Sequence, residues 1–502
     1  MTNNISDLQH AFSKLNKSNN NVALTIAGDS ISYSQLNQQI NNFSVKLLNG
    51  KNDLEEERIA FMIPTSLDYV VVLFGIWRAG GIAIPLNTSA AIGELEHYLS
   101  CAGVTRLIKK KNNQTALQKL CVLLGISIHT VTDILSQETN NNALPTLDDS
   151  RRAMILFTSG TTNKPKGVVS THGNICSQIN SLIEAWAWQE KDSIPLYLPM
   201  HHVHGIINIL CSGLWAGATV DVFTKFDMEA ILNNVSANQY TIFMAVPTIY
   251  SKLISHFDTI SEDEKHKIFA GFKAMRLNIS GSAACPVPIY EKWLELTNQA
   301  LLERYGMTEI GMAISNPYHG ERRAGTVGTP LPGVEVALFD EKNIIVIEED
   351  TPGEIRIKGP TVFLEYWNNK KATEESFCDG WFCTGDIAVV ENGYYRIMGR
   401  SSIDIIKSGG YKLSALEIES VLLNHPAINE CAIIGVPDDT WGEAVTAFVV
   451  LTPGYLLTLK ELKTWCKDRL SSYKVPKNIK EVDSLPRNAM GKVTKKWLRD
   501  LV

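Results

Sequence analysis

The sequence predicts an α/β protein: a large N-terminal part of parallel-rich α/β sheets that closes with a small β section, then a small α+β C-terminal part. Three observations lead there. From residue 58 to residue 305, short apolar runs alternate with helix-length amphipathic runs, the mark of strand–helix–strand units with parallel pairing. Between about residues 325 and 400 the runs become short and strand-like, separated by turn residues, as in antiparallel sheet. Beyond 400 strand and helix patterns mix again. A boundary is expected at about 400, giving domains 1–400 and 401–502, and no fixed-period repeat is present.

Taken in order, residues 1–22 are polar and Asn-rich. A hairpin is expected over 23–33 around a Gly-Asp turn, then a helix over 34–49 with Ser34 as its cap. Strands at 58–63 and 82–85 flank a helix at 68–78, and a helix at 90–102 leads to a strand at 105–109. The apolar run Ala153-Met154-Ile155-Leu156-Phe157 reads as a buried strand, with a helix expected over 174–188. Strands at 195–199, 219–223, 241–246, 277–280 and 301–305 alternate with helices at 206–215, 227–238, 247–254 and 289–297, Pro247 standing where helices favour proline. Strands at 334–339, 353–358 and 394–398 form the β section. A strand at 404–407, a helix at 415–424, strands near 430–436 and 444–451 and a helix at 459–470 make the tail.

The richest stretch is Thr158-Ser159-Gly160-Thr161-Thr162-Asn163-Lys164-Pro165-Lys166-Gly167. It follows the buried strand 153–157 and is dense in hydroxyls, Gly and Lys. Such a loop suits polyphosphate: Gly lets backbone N–H groups turn inward, hydroxyls donate to phosphoryl oxygens, and the lysines supply charge. It is not a Walker A loop, because the lysine precedes the last glycine. Three other loops rich in chemistry follow expected strands, after Pro199, Ser280 and Tyr305, and strand C-terminal ends are where open α/β sheets bind ligands.

Net charge is −6 over 502 residues without a long basic run, which argues against a nucleic-acid footprint. Nine scattered cysteines without C-x-x-C read as reduced thiols rather than a disulfide frame or zinc site. No signal-like leader is expected, and the longest apolar run, 69–77, is too short to span a membrane, so a cytoplasmic location is expected. His201, His202 and His204 lack the H-E-x-x-H spacing and acidic or Cys partners of a zinc site, and read better as substrate-pocket residues. Thr384-Gly385-Asp386, placed in a tight turn, offers a carboxylate for two ribose hydroxyls, although such a tripeptide is usually only a turn. Glu309, in Gly306-Met307-Thr308-Glu309, suits Mg²⁺, which takes one or two carboxylates plus phosphate oxygens; the same residues read equally as a helix start capped by Thr308. Lys492, after Pro486-Arg487-Asn488-Ala489-Met490-Gly491, is presented either by a functional loop or by a solvated tail.

Together, and in this order, these motifs resemble the adenylate-forming superfamily of acyl-CoA synthetases, firefly luciferase and peptide-synthetase adenylation domains. The carriers are 158–167, Tyr305–Glu309, Thr384–Asp386, Gly399-Arg400, residues 407–412 and 486–492, and the likeness covers nearly the whole chain. It implies ATP, Mg²⁺ and coenzyme A as reactants and cofactors, and a carboxylate that attacks the α-phosphorus of ATP before a thiol takes the acyl group. It implies that Thr158, Ser159, Gly160, Thr161, Thr162, Lys164, Lys166 and Gly167 hold the β- and γ-phosphates, with Thr158 and Glu309 at the metal and Thr308 at the α-phosphate. Gly281, Ser282 and Ala283 would line the adenine with Tyr305 and Gly306, and Asp386 would hold the ribose with Arg400 in support. Lys492 would serve adenylation from a mobile C-terminal domain pivoting at Ser402, while Ser408, Gly409 and Gly410 would line the pantetheine path. Two departures stand out: Ser402 at the pivot, where relatives often have Asp or Lys, and Asn163, where they usually have Gly.

Within the superfamily the stretches 198–205, 243–250, 280–284, 302–312 and 399–407 are most similar to malonyl-CoA and methylmalonyl-CoA synthetases. Pro247 and Thr248, where amino-acid-activating relatives carry Asp, argue against an amino acid. A dicarboxylate needs a cation for its second carboxylate, since a buried unpaired carboxylate is costly. The candidates are Lys252 first and Arg276 second, with Ser282, His202, His204 and Met307 around the acid and His202 in a catalytic part; Lys252 reads equally as a solvated helix position. The alternatives are a CoA ligase for short, medium or aromatic monocarboxylates, an acyl-AMP ligase loading a carrier protein, and a catalytically inactive binding module.

Overall fold

The structure is a computed structural model describing residues 21–110, 115–137, 143–158, 165–401, 403–408, 411–438, 441–487 and 493–501. Among the described residues it is a mixed α/β protein of five sheets. The largest has seven strands, in spatial order Glu365–Tyr366, Lys166–Thr171, Arg152–Thr158, Ile82–Pro85, Arg58–Met62, Arg106–Lys109 and Ser127–His129. Pairing is parallel from Arg152–Thr158 outwards, as the strand–helix–strand pattern predicts. The helix Leu67–Arg78 is buried from Tyr69 to Arg78, in keeping with a run apolar on every side.

A four-stranded sheet, Asp29–Ser32, Val22–Ile26, Thr219–Val222 and Ser193–Leu196, packs beside it. A third sheet carries Ile242–Ala245, Leu277–Ser280 and Leu302–Met307 in parallel, then turns antiparallel into Gly311–Ser315 and Thr329–Pro330. The antiparallel β section comprises Glu335–Phe339, Gly353–Lys358, Phe377–Cys378, Trp381–Glu391 and Tyr394–Arg400. The C-terminal sheet pairs Ile405–Ser408 with Tyr411–Ser414, and Gly442–Leu451 with Ile428–Asp438 and Asn478–Glu481. Two apolar clusters have buried members between Ala23 and Ala388, and two others between Ile406 and Leu498.

Four local expectations are corrected. The first long helix is Tyr33–Leu48 and its cap is Ser32, because Ser32 and Gln35 form a reciprocal capping box that leaves Ser34 inside the helix. The segment after the phosphate loop is not a direct run into a helix. Lys166–Thr171 returns antiparallel to Arg152–Thr158, with Thr158 opposite Lys166, and only then does the helix His172–Ala185 begin. Thr308 caps no helix: Leu302–Met307 turns straight back into Gly311–Ser315. Thr384-Gly385-Asp386 is not a tight turn between elements. It lies inside the strand Trp381–Glu391 as an irregularity, where Gly385 takes φ 72° and two residues of the neighbouring strand oppose four. Three helices or strands between 115 and 135 and the helix Glu262–Ala274 were not anticipated.

Candidate active site

The loops after three sheets converge. The hairpin Arg152–Thr158/Lys166–Thr171 brings Lys166 to the root of the phosphate loop, where its ammonium lies 4.7 Å from the centre of the Tyr366 ring. Tyr366 belongs to the short strand that pairs with Lys166–Thr171, so one sheet edge fixes both. Its hydroxyl donates to Glu309 Oε1 at 3.0 Å. Glu309 is buried in the turn after Leu302–Met307, and its backbone carbonyl accepts from the Phe363 amide at 2.7 Å. Burial pushes its carboxyl above the ordinary range, while the Tyr366 hydroxyl and the charges of Arg400 and Lys166 pull it back. A desolvated carboxylate between two cations and a hydroxyl fits a single protein ligand of a Mg²⁺ ion held mainly by phosphate oxygens. Among the described residues no group of three or more His, Cys, Asp or Glu could hold a metal by itself.

The ribose motif stands beside it. Tyr305 donates to Asp386 Oδ2 at 2.6 Å, and Arg400 Nε lies 3.1 Å from Asp386 Oδ1. The irregular strand turns Asp386 inward, and Thr384 Oγ1 holds it there by accepting the Asp386 amide at 3.1 Å while donating to the Ile355 carbonyl at 2.7 Å. Gly306 has no room for a side chain: a Cβ would stand 2.1 Å from the Gly311 carbonyl oxygen. Hence Lys166, Tyr305, Gly306, Glu309, Asp386 and Arg400 form one neighbourhood. Ser408 is buried at the end of Ile405–Ser408. Ser159, Gly160, Thr161, Thr162, Asn163, Lys164, Ser402, Gly409, Gly410 and Lys492 lie outside the described residues.

On the acid side, His204 opens an eight-residue π-helix, His204–Cys211, a rare form that recurs at functional sites. Its Nδ1 is 3.0 Å from Ser282 Oγ. The expected partner of Ser282 was His202; it is His204 that reaches it. His202 instead stacks against His201, their ring centres 4.2 Å apart, and burial pushes His201 down to about 4, so it is neutral. Ser282 holds a left-handed φ of 69°, a strained conformation for a residue with a Cβ. Gly281 is buried, Ala283 is exposed and Met307 is half-buried.

Arg276 is corrected outright. Its guanidinium grips Asp192 with two contacts, Nε–Oδ1 at 2.7 Å and Nη2–Oδ2 at 2.6 Å, and donates to the Trp186 carbonyl. Asp192 is buried, so the pair braces two strand starts and Arg276 is spent. Lys252 lies on the exposed face of the helix Pro247–Phe257, one turn from Thr248 and next to Ser251. The cation at the acid site is one the sequence reading passed over, Arg304. It is buried directly beneath Gly281: a Cβ there would come within 2.5 Å of Arg304 Cζ. Its Nη2 is 3.5 Å from Ser282 Oγ, its Nε has no hydrogen-bond partner among the described residues, and burial alone pushes its pKa down to about 9. The signal was present: two adjacent opposite charges, Glu303 and Arg304, inside an apolar strand.

The sequence matches the model of the AMP-binding enzyme family over residues 12–367 and that of the AMP-binding enzyme C-terminal domain over 417–492. It is 42% identical to the mitochondrial malonate–CoA ligase ACSF3 of Xenopus laevis, over 92% of this chain and 86% of that one. The malonate–CoA ligase of Arabidopsis thaliana is 38% identical, over 97% of this chain and 87% of that one. Among solved structures, ATP-bound MatB from Rhodopseudomonas palustris superposes with a TM-score of 0.89 at 32% identity, covering 98% of both chains.

Proposed function

The chain belongs to the AMP-binding enzyme family, and from that premise we propose that it is an ATP-dependent acid–CoA ligase that takes malonate, and methylmalonate beside it. One oxygen of the attacking carboxylate bonds to the α-phosphorus as the bond to the β-phosphate oxygen breaks, releasing pyrophosphate and leaving an acyl-adenylate. The CoA thiol, giving up its proton, then bonds to the acyl carbon as AMP leaves. Catalysis of the first step is positioning and charge stabilisation. The loop 158–167 grips the leaving phosphates, Asp386 with Tyr305 and Arg400 orients the ribose, and Lys492 supports the attack. Mg²⁺ at Glu309 would neutralise phosphate charge. Ser408, Gly409 and Gly410 would line the path of CoA.

The observation that carries the choice of acid is the buried, unpaired guanidinium of Arg304 beside Ser282 and His204. A buried charge without a counter-ion is costly, and a ligand carboxylate offsets that cost. A monocarboxylate spends its one carboxylate in the attack; a dicarboxylate has a second for Arg304. The names of the similar ligases point the same way. The test is a panel of malonate, methylmalonate, acetate and octanoate with ATP, Mg²⁺ and CoA. Malonate is expected to exceed acetate in kcat/KM by roughly a hundredfold or more, since a site built for a polar group rejects ligands lacking it. Equal values would end the dicarboxylate reading, and pyrophosphate exchange without thioester would favour a carrier-protein loader.

A further inference from the structure

The chain passes from the large part to the C-terminal sheet through residues 399–404, and Asp404 folds back across that crossing. Its amide donates to the Arg400 carbonyl at 2.8 Å, and its Oδ2 accepts the Arg400 amide at 3.1 Å. The closure is tight: Gly399 takes φ 121°, and a Cβ there would stand 2.3 Å from Asp404 Cβ. The same Arg400 reaches Asp386 through its guanidinium. The other carboxylate oxygen, Oδ1, accepts from Lys495 Nζ at 2.6 Å. Lys495 is buried and lies 2.7 Å from Glu419 Oε1 as well, which in turn accepts the Ile433 amide at 2.7 Å. The crossing, the helix Ala415–Leu422, the central strand Ile428–Asp438 and the last helix Lys495–Arg499 thus meet at one ammonium.

A buried ion cluster adds little net stability once desolvation is counted, whereas breaking it leaves an uncompensated charge; its value is geometric. Lys495 stands three residues after Lys492. Three residues of chain span at most about 11 Å, so anchoring Lys495 confines where Lys492 can stand. We propose that Asp404 and Lys495 are positioning residues, a relay that places Lys492 relative to the Asp386–Arg400 pair. The proposal rests on the function given above, in which Lys492 serves the adenylation step.

Full-length Lys495→Met, Lys495→Arg and Asp404→Asn proteins, with Lys492→Ala alongside, test it in two half-reactions. One is ATP–pyrophosphate exchange with malonate; the other is thioester formation from supplied malonyl-adenylate and CoA. Lys495→Met and Asp404→Asn are expected to lower exchange by roughly tenfold or more, because small misplacements of catalytic groups are costly. They should leave thioester formation within about twofold, and Lys495→Arg, which keeps the charge, should recover most of the exchange. An equal loss in both half-reactions, or undiminished exchange, overturns the relay. If Lys492→Ala itself leaves exchange intact, the role of that lysine in the proposed function has failed instead, and the two failures are told apart.

Discussion

At the scale of the residue, Arg304 carries the most consequence, because its burial and its missing counter-ion pull in opposite directions. Stability alone would favour an apolar side chain there, since an unpaired buried charge is among the costlier features of a core. Arg304→Met is therefore expected to keep or raise the melting temperature without ligand while lowering kcat/KM for malonate by roughly a hundredfold, with little change for acetate. Calorimetry and steady-state rates check both halves. A fall in stability with malonate turnover preserved would make Arg304 a structural residue. Arg276 shows the converse: as a nearby arginine it qualifies from sequence, yet its bidentate grip on Asp192 leaves no donor fork for a ligand. What separates the two is partner geometry, which one-dimensional spacing does not contain.

At the scale of the element, the strand Leu302–Met307 presents Glu303 and Arg304 to opposite faces, as strand pleating requires. Glu303 accepts the Gly325 amide at 3.1 Å and is otherwise held in an apolar setting that pushes its carboxyl up to about 8. The folded protein thus keeps that proton well above the pH at which the unfolded chain, with an ordinary carboxyl near 4.5, gives it up. The unfolded state binds fewer protons in between, so this group's contribution to stability falls as pH rises from about 4.5 to about 8 and is flat above. Glu303→Gln is expected to flatten that slope in melting temperature measured between pH 5 and 8; an unchanged slope would mean that the carboxyl ionises normally. The elements show how far periodicity reaches. Long runs such as Leu67–Arg78 and Met228–Ser236 were legible, because burial or cap chemistry sets them locally. The two hairpins that hold the active residues were not. Lys166–Thr171 is short and merges into the capping Thr171, and the turn at Thr308 and Glu309 depends on Gly306 packing against Gly311, a contact between strands rather than within one.

At the scale of the molecule, the ATP and ribose residues were legible as motifs because each needs a particular residue type at a fixed place in a loop. The acid site was not, because it is assembled by His204, Ser282 and Arg304 from three elements spread over a hundred residues of sequence. The same scale sets how the protein should unfold. Buried apolar clusters end at Ala388 and resume at Ile406, and among the described residues the crossing between them is held by polar contacts around Arg400, Asp404 and Ser414 rather than by shared core. Two cores joined mainly by hydrogen bonds are not bound to unfold as one. The C-terminal core is the smaller, built on Ile418, Leu422, Ile433, Val445 and Leu462, and a small unit buries a lesser share of its surface. Hydrogen exchange in rising urea is accordingly expected to show amides of 406–498 opening together before those of 23–388. A non-hydrolysable ATP analogue should raise the later transition more than the earlier one, because Asp386 and Glu309 belong to the larger unit and a ligand stabilises what it binds. A single transition at both regions, shifted as one by the analogue, would show instead that the polar crossing couples the two cores into one cooperative unit.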